Sequence, residues 1–133
     1  MSRMLQPKQF EINEAWIAFR LNDAPIQAGR DGDFNCIALM DAASCFMLGT
    51  DLVPVGRSGL SKQQSKRLLK TAQSHKDQLP RTLFVPKEDS ADLLIAEAAQ
   101  QNIGVVLVSE SELLVFISEA RQEFAERFWD SRT

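Results

Sequence analysis

The chain has 133 residues, 44% of them hydrophobic and 25% charged, and a net charge of −3. That balance suits one folded domain, long enough to bury a core without disulfides or a structural metal, and excludes a collagen, a coiled coil and a disulfide scaffold. No apolar run approaches the ~20 residues of a membrane span and Met1–Phe10 lacks an apolar block, so the expectation is a soluble, cytoplasmic protein with no membrane partner.

In chain order, Ile12, Ala15, Trp16 and Phe19 follow the i, i+3, i+4, i+7 spacing of an amphipathic helix, which predicts a helix over Phe10–Leu21, ended by Asn22, Asp23 and Pro25 and laid across the domain. Ala24–Ala28 is a candidate short extended piece, and Arg30-Asp31-Gly32-Asp33 a turn. Phe34–Met40 and Cys45–Val55 are mostly apolar and flank Asp41-Ala42-Ala43-Ser44, which predicts a hairpin, with Gly49-Thr50 marking a bulge and Pro54 an edge or end. Ser61 with Gln64 is a capping box, so a helix starts there, with Leu68, Leu69, Ala72 and Leu79 as its stripe and Pro80 as its stop. Thr82–Val85 reads as a buried strand, and Ser90 caps a helix to about Gln101. Val105–Val108 is a second buried strand. The capping box Ser109/Glu112 then opens a long helix to about Phe128, with Leu113, Phe116, Ile117, Ala120 and Phe124 inward. Strand, helix, strand, helix with short connections implies parallel strands. The expected fold is α/β: a mixed sheet made of an antiparallel hairpin followed by parallel βαβα, with helices covering its faces.

The charge is segregated along the chain. Residues 1–56 hold four basic and seven acidic groups; residues 57–87 hold eight basic groups and the single acid Asp77; residues 88–133 hold three basic and ten acidic groups. Lys62, Lys66 and Lys70 recur every four residues on one helix face, with Arg67 beside them. Like charges at that spacing repel by roughly 0.2–0.5 kcal/mol per pair. An acidic protein partner, a nucleic acid backbone, or acids of this chain such as Glu112, Glu119, Glu123 and Glu126 would relieve it. Gly56-Arg57-Ser58-Gly59 ahead of Ser61 offers a phosphate a helix N-terminus, with Arg57, Ser58 and Ser61 as contacts, although it lacks P-loop spacing. Cys36 and Cys45 fall out of register for a cross-strand disulfide and are expected as free thiols. His75, the one histidine, is expected to pack against its helix. Phe128 and Trp129 either pack across the N-terminal helix or make a homodimer contact.

Open α/β sheets bind ligands at the carboxyl ends of their parallel strands, and Asp41, Glu88, Asp89 and Glu110 are each placed at such a strand end. The run Ile37-Ala38-Leu39-Met40-Asp41-Ala42-Ala43-Ser44, and the element order from Phe34 to Phe128, resemble the ribonuclease H-like fold and are similar to bacterial α/β domains of that build. That fold begins with an antiparallel hairpin carrying an acid on its first strand. The resemblance implies a magnesium-dependent nuclease or phosphoryl-transfer site with Asp41 central, helped by Asp89 and an acid of the last helix, Glu112 or Glu119. The family also places an acid in its first crossover helix, and Ser61–His75 contains none. The leading expectation is therefore a non-catalytic interaction or regulatory module, needing no cofactor or metal, whose binding face is Lys62, Lys66, Arg67 and Lys70. The nuclease and a phosphate-ligand-binding domain are the alternatives. All three assume that Asp41 shares a rim with the loops after Val85 and Val108.

Overall fold

The computed structural model describes residues 4–27, 29–57, 59–89 and 91–132, leaving aside the side chains of 31 and 128–132. The expected caps and contacts at Ser58, Ser90, Phe128 and Trp129 lie outside the described residues or side chains.

The predicted N-terminal helix is instead a strand, β1 (Ala15–Arg20). Ala15, Trp16, Ile17, Ala18 and Phe19 are all buried, so a helix here would have no polar side to turn to water. A strand at the centre of a sheet covered on both faces buries every residue. The helical spacing is a subset of that run and cannot separate the two structures. Ile12, on the predicted stripe, is 62% exposed, while Ile17, off it, is fully buried.

The remaining elements are β2 (Ile26–Gln27), β3 (Asp33–Asp41), β4 (Met47–Pro54), α1 (Lys62–Gln73), β5 (Thr82–Pro86), α2 (Asp92–Gln100), β6 (Gly104–Val108) and α3 (Leu114–Arg132). Across the sheet the long strands run β4, β3, β1, β5, β6, and β2 pairs with the start of β3. The β3–β4 hairpin is antiparallel, with a register shift at Leu39/Met40 that leaves Leu48 as the extra residue, next to the predicted bulge at Gly49. β3 is antiparallel to β1, and β1, β5 and β6 are mutually parallel. The fold is the expected α/β class with a mixed sheet.

Alternation along β1 sorts the core into two layers. Trp16 and Ala18 meet Leu68, Leu69 and Ala72 of α1 and Leu94 and Ala98 of α2. Ala15, Ile17 and Phe19 meet Phe116 and Ile117 of α3 on the other face. Both capping boxes form; Ser109 and Glu112 enclose a 3₁₀ turn (Glu110–Leu113) from which α3 continues. α1 ends at Gln73, ahead of the predicted stop at Pro80, so His75 lies in the following turn, where Nε2 is 3.0 Å from Leu48 O. β6, expected inside the sheet, is its edge. No helix among the described residues is long and apolar enough to cross a membrane.

The shared rim is not found. Asp41 pairs with Trp16, and Trp16 with Leu83 near the start of β5. Because β3 runs against β1, its carboxyl end lies at the amino ends of the parallel strands, opposite the loops holding Asp89 and Glu110.

Candidate functional site

α1 starts where the Ser61 hydroxyl accepts from Gln64 N (3.1 Å) and the Gln64 side chain accepts from Ser61 N (3.0 Å). Its apolar stripe faces the sheet, and Gln64 Nε2 donates to Leu52 O of β4 (2.8 Å). That orientation turns Lys62, Lys66 and Lys70 outward, and all three are exposed. Arg67, expected in the same binding face, instead reaches Asp51 of β4 at 2.8 Å. No lysine among the described residues takes part in an ion pair. The acids of α3 cannot relieve the lysines within one molecule, because α1 and α3 pack on opposite faces of the sheet.

Of the predicted phosphate contacts, Ser58 lies outside the described residues. The Ser61 hydroxyl and the Gln64 amide are taken up in the cap, and Arg57 lines a shallow cleft of about 220 Å³ together with Arg20, Glu88 and Asp89.

The carboxyl rim of the sheet carries a network of charged groups, within which Arg20 Nε is buried without a hydrogen-bond partner among the described residues. Arg121 of α3 donates from Nε to Arg20 O (3.0 Å), pairs through Nη2 with Glu110 (2.6 Å), and lies 3.7 Å from Asp23 through Nη1. The Glu88 carboxylate accepts from Glu110 N (2.9 Å), and Asp89 accepts from Arg20 N (3.3 Å). Burial pushes the Asp89 carboxyl above its ordinary value; the Arg20 N–H opposes that rise, the charge of Glu110 adds to it, and the Arg20 and Arg121 cations oppose it. Sequence reasoning missed Arg121. The signal was present: Ile117, Arg121 and Phe124 fall on one helical stripe, so this cation sits on the inward side of α3.

The Asp89 shift has a testable sign. A carboxyl whose pKa is raised on folding makes ionisation unfavourable to the native state. Its contribution to stability is fully present below the ordinary carboxylate range and is lost as pH rises through the folded value. Asp89→Asn is therefore expected to raise the urea midpoint at pH 7 and to leave it unchanged near the acid limit, as parallel unfolding curves at the two pH values would show.

Asp41 serves a different purpose at the opposite rim. Its buried carboxylate accepts from Asn13 N (2.7 Å), Ser44 N (2.9 Å) and Ser44 Oγ (2.7 Å). Asn13 holds φ at 67°, a conformation asparagine tolerates, and accepts from Trp16 Nε1 (2.8 Å). Asp41 thus pins the entry to β1 against the β3–β4 turn. With Phe46, Leu48 and His75 it lines a cleft of about 310 Å³. Glu112 closes the box ahead of α3, its carboxylate accepting from Ser109 N (3.2 Å) and its carbonyl from Leu5 N (2.8 Å). Asp41, Asp89 and Glu112 therefore do not form one site. Among the described residues no group of three or more His, Cys, Asp or Glu is placed to hold a metal, and Asp41 and Asp89, on opposite rims, cannot share the magnesium that the resemblance implies.

Both cysteines are free. Burial, then the charge of Asp51, pushes the Cys36 thiol up to about 11, against a hydrogen bond from Thr50. Cys45, half-buried, is also raised, by burial first and then by Glu119 and Asp41. Neither thiol has the electropositive surroundings of a nucleophile.

No family model matches the chain, and no curated protein sequence matches it. Among solved structures, it is similar to a chain of the simian T-cell lymphotropic virus intasome in complex with PP2A regulatory subunit B56 gamma, at 12% identity and a TM-score of 0.47. The similarity covers 80% of this chain and 36% of that one, so this chain spans about a third of that chain's length.

Proposed function

We propose that this domain is a non-catalytic interaction module that binds an acidic protein surface through Lys62, Lys66 and Lys70. The observation that carries the reading is that these three lysines are exposed, four residues apart, and outside every ion pair among the described residues. Each neighbouring pair repels by roughly 0.2–0.5 kcal/mol, and no acid among the described residues pairs with these lysines to offset it. A carboxylate-rich partner turns that repulsion into attraction and speeds encounter. Arg67 takes a supporting part, holding α1 to β4 through Asp51.

We read the module as a silent relative of ribonuclease H-like domains. Support comes from the element order: antiparallel strands joined by a hairpin, then helix, parallel strand, helix, parallel strand and helix. The first crossover helix, where the resemblance calls for an acid, contains neither Asp nor Glu. The unpaired cysteines support a reducing, cytoplasmic setting.

The test is charge reversal. The double variant Lys66→Glu/Lys70→Glu is expected to weaken capture on an immobilised polyglutamate peptide at least tenfold, with the melting temperature unchanged because both side chains are exposed. Undiminished capture would overturn the reading. Tighter binding of single-stranded RNA than of the acidic peptide at the same salt would replace the protein partner by nucleic acid.

A further inference from the structure

Among the described residues, one buried side-chain group lacks the partner that its burial calls for. Arg20 ends β1, and its Nε is buried with no hydrogen-bond partner, while its guanidinium enters no ion pair among the described residues. A buried donor without an acceptor is costly, and folded chains rarely leave one. Alternation from Trp16 and Ala18 puts Arg20 on the sheet face covered by α1 and α2. There it lines the cleft of about 220 Å³ that it shares with Arg57, Glu88 and Asp89.

The cleft lies where an open α/β sheet takes its ligands. β4 and β1 are both antiparallel to β3, so the carboxyl ends of β4, β1 and β5 share one rim. α1 and α2 follow β4 and β5 and pack on the same face, and the loops that lead into them flank the crevice through Arg57 and Asp89. A crevice beyond the carboxyl ends of the strands is the usual ligand site of such sheets, and helix amino ends favour a negative group. The volume is below the ~300–1,000 Å³ of pockets that hold drug-sized molecules, so the occupant is small.

Both signs of charge are open in it. Arg57 is exposed and outside every ion pair among the described residues. Glu88 uses one oxygen for Glu110 N and Asp89 one for Arg20 N, which leaves the second oxygen of each without a partner among the described residues. Ile37 and the exposed Val55 add an apolar wall. A bare anion uses only the guanidinium side of this lining, and a bare cation only the carboxylate side. A zwitterion uses both. The 3.3 Å bond from Arg20 N to Asp89 sets a cationic and an anionic residue side by side, so the two charges of the ligand must also be close, as on a single α-carbon. Burial raises the Asp89 carboxyl above its ordinary value, and an ammonium beside it would favour the ionised form again.

We propose that this cleft binds a free α-amino acid with an aliphatic side chain. Its carboxylate pairs with the Arg20 and Arg57 guanidiniums, in the bidentate geometry that arginine offers a carboxylate. Its ammonium meets the open oxygens of Glu88 and Asp89, and its side chain lies along Ile37 and covers Val55. Lys62, Lys66 and Lys70 do not line the cleft, so this binding and that of an acidic partner are separate.

Isothermal titration of the full chain with L-leucine and with L-valine is expected to show saturable binding in the micromolar-to-millimolar range, and a higher melting temperature with the amino acid present. Arg57→Ala and Glu88→Gln are each expected to weaken that binding at least tenfold. Both should leave the melting temperature of the free protein unchanged, since both side chains are exposed. Arg20→Met is expected to abolish binding without lowering stability, since it deletes an unpaired buried group. Isocaproate, which lacks the ammonium, and isoamylamine, which lacks the carboxylate, are expected not to saturate over the same range. No saturable binding of either amino acid, or binding indifferent to Arg57→Ala or Glu88→Gln, would overturn the proposal. So would isocaproate or inorganic phosphate binding as tightly as L-leucine, which would mark a site for a bare anion.

Discussion

Asp41→Ala is expected to lower the unfolding free energy by about 4 kcal/mol, from the loss of charge-assisted hydrogen bonds and the stranding of their donors. The carboxylate is buried and accepts from two backbone amides and one hydroxyl. Alanine would leave Asn13 N and Ser44 N without the acceptor that ties the entry of β1 to the β3–β4 turn. The melting temperature should fall by at least about 10 °C for a domain of this length. Asp41→Asn keeps one acceptor oxygen but turns an amide N–H₂ toward the donors, so it should fall between alanine and the native residue. Urea unfolding at pH 7 measures both. A catalytic carboxylate behaves otherwise, since removing it commonly leaves stability intact or improves it. That is the sign expected for Asp89→Asn. Two aspartates, each placed by sequence at a strand end, thus respond in opposite directions because one is fully bonded and the other is desolvated. An Asp41→Ala variant as stable as the native chain would refute this account of the turn.

What could be read in advance was local. Both capping boxes span three residues and form as expected, because their partners are fixed by one helical turn. The inward stripes of α1 and α3 follow from the 3.6-residue repeat, and the β3–β4 hairpin from two apolar runs either side of a short polar break. The misreadings needed information held elsewhere in the chain. β6 looks the same in sequence whether or not another strand lies beyond it, so its edge position depends on what fails to cover it. The direction of β3 relative to β5 depends on the strand between them. Once β1 takes that place, parallel to β5 and antiparallel to β3, Asp41 moves to the far rim and the acid set divides. Arg67 is in the basic run by sequence, yet its charge is engaged by Asp51, sixteen residues earlier in the chain on the adjacent strand.

Trp16→Ala and Ile17→Ala test that central strand, and both are expected to be severe. An amphipathic helix carrying Ile12, Ala15, Trp16 and Phe19 inward would turn Ile17 toward solvent and tolerate its truncation. In the sheet, neighbouring residues point to opposite faces and both faces are covered. Trp16 lies fully buried against α1 and α2, with Nε1 bonded to Asn13, and Ile17 lies fully buried against α3. Large-to-small changes at such sites cost about 3–5 kcal/mol for tryptophan and about 2–5 kcal/mol for isoleucine, the range reflecting how far each site collapses. Either loss consumes much of the ~5–15 kcal/mol that holds a domain of this kind together. Ile12→Ala, removing a side chain that is mostly in water, should change stability by less than about 0.5 kcal/mol. The ordering Trp16 and Ile17 severe, Ile12 neutral belongs to a two-sided strand alone. If Ile17 proved tolerant and Ile12 costly, β1 would leave the centre of the sheet, and the separation of the basic helix face from the acidic helix on the other side would go with it.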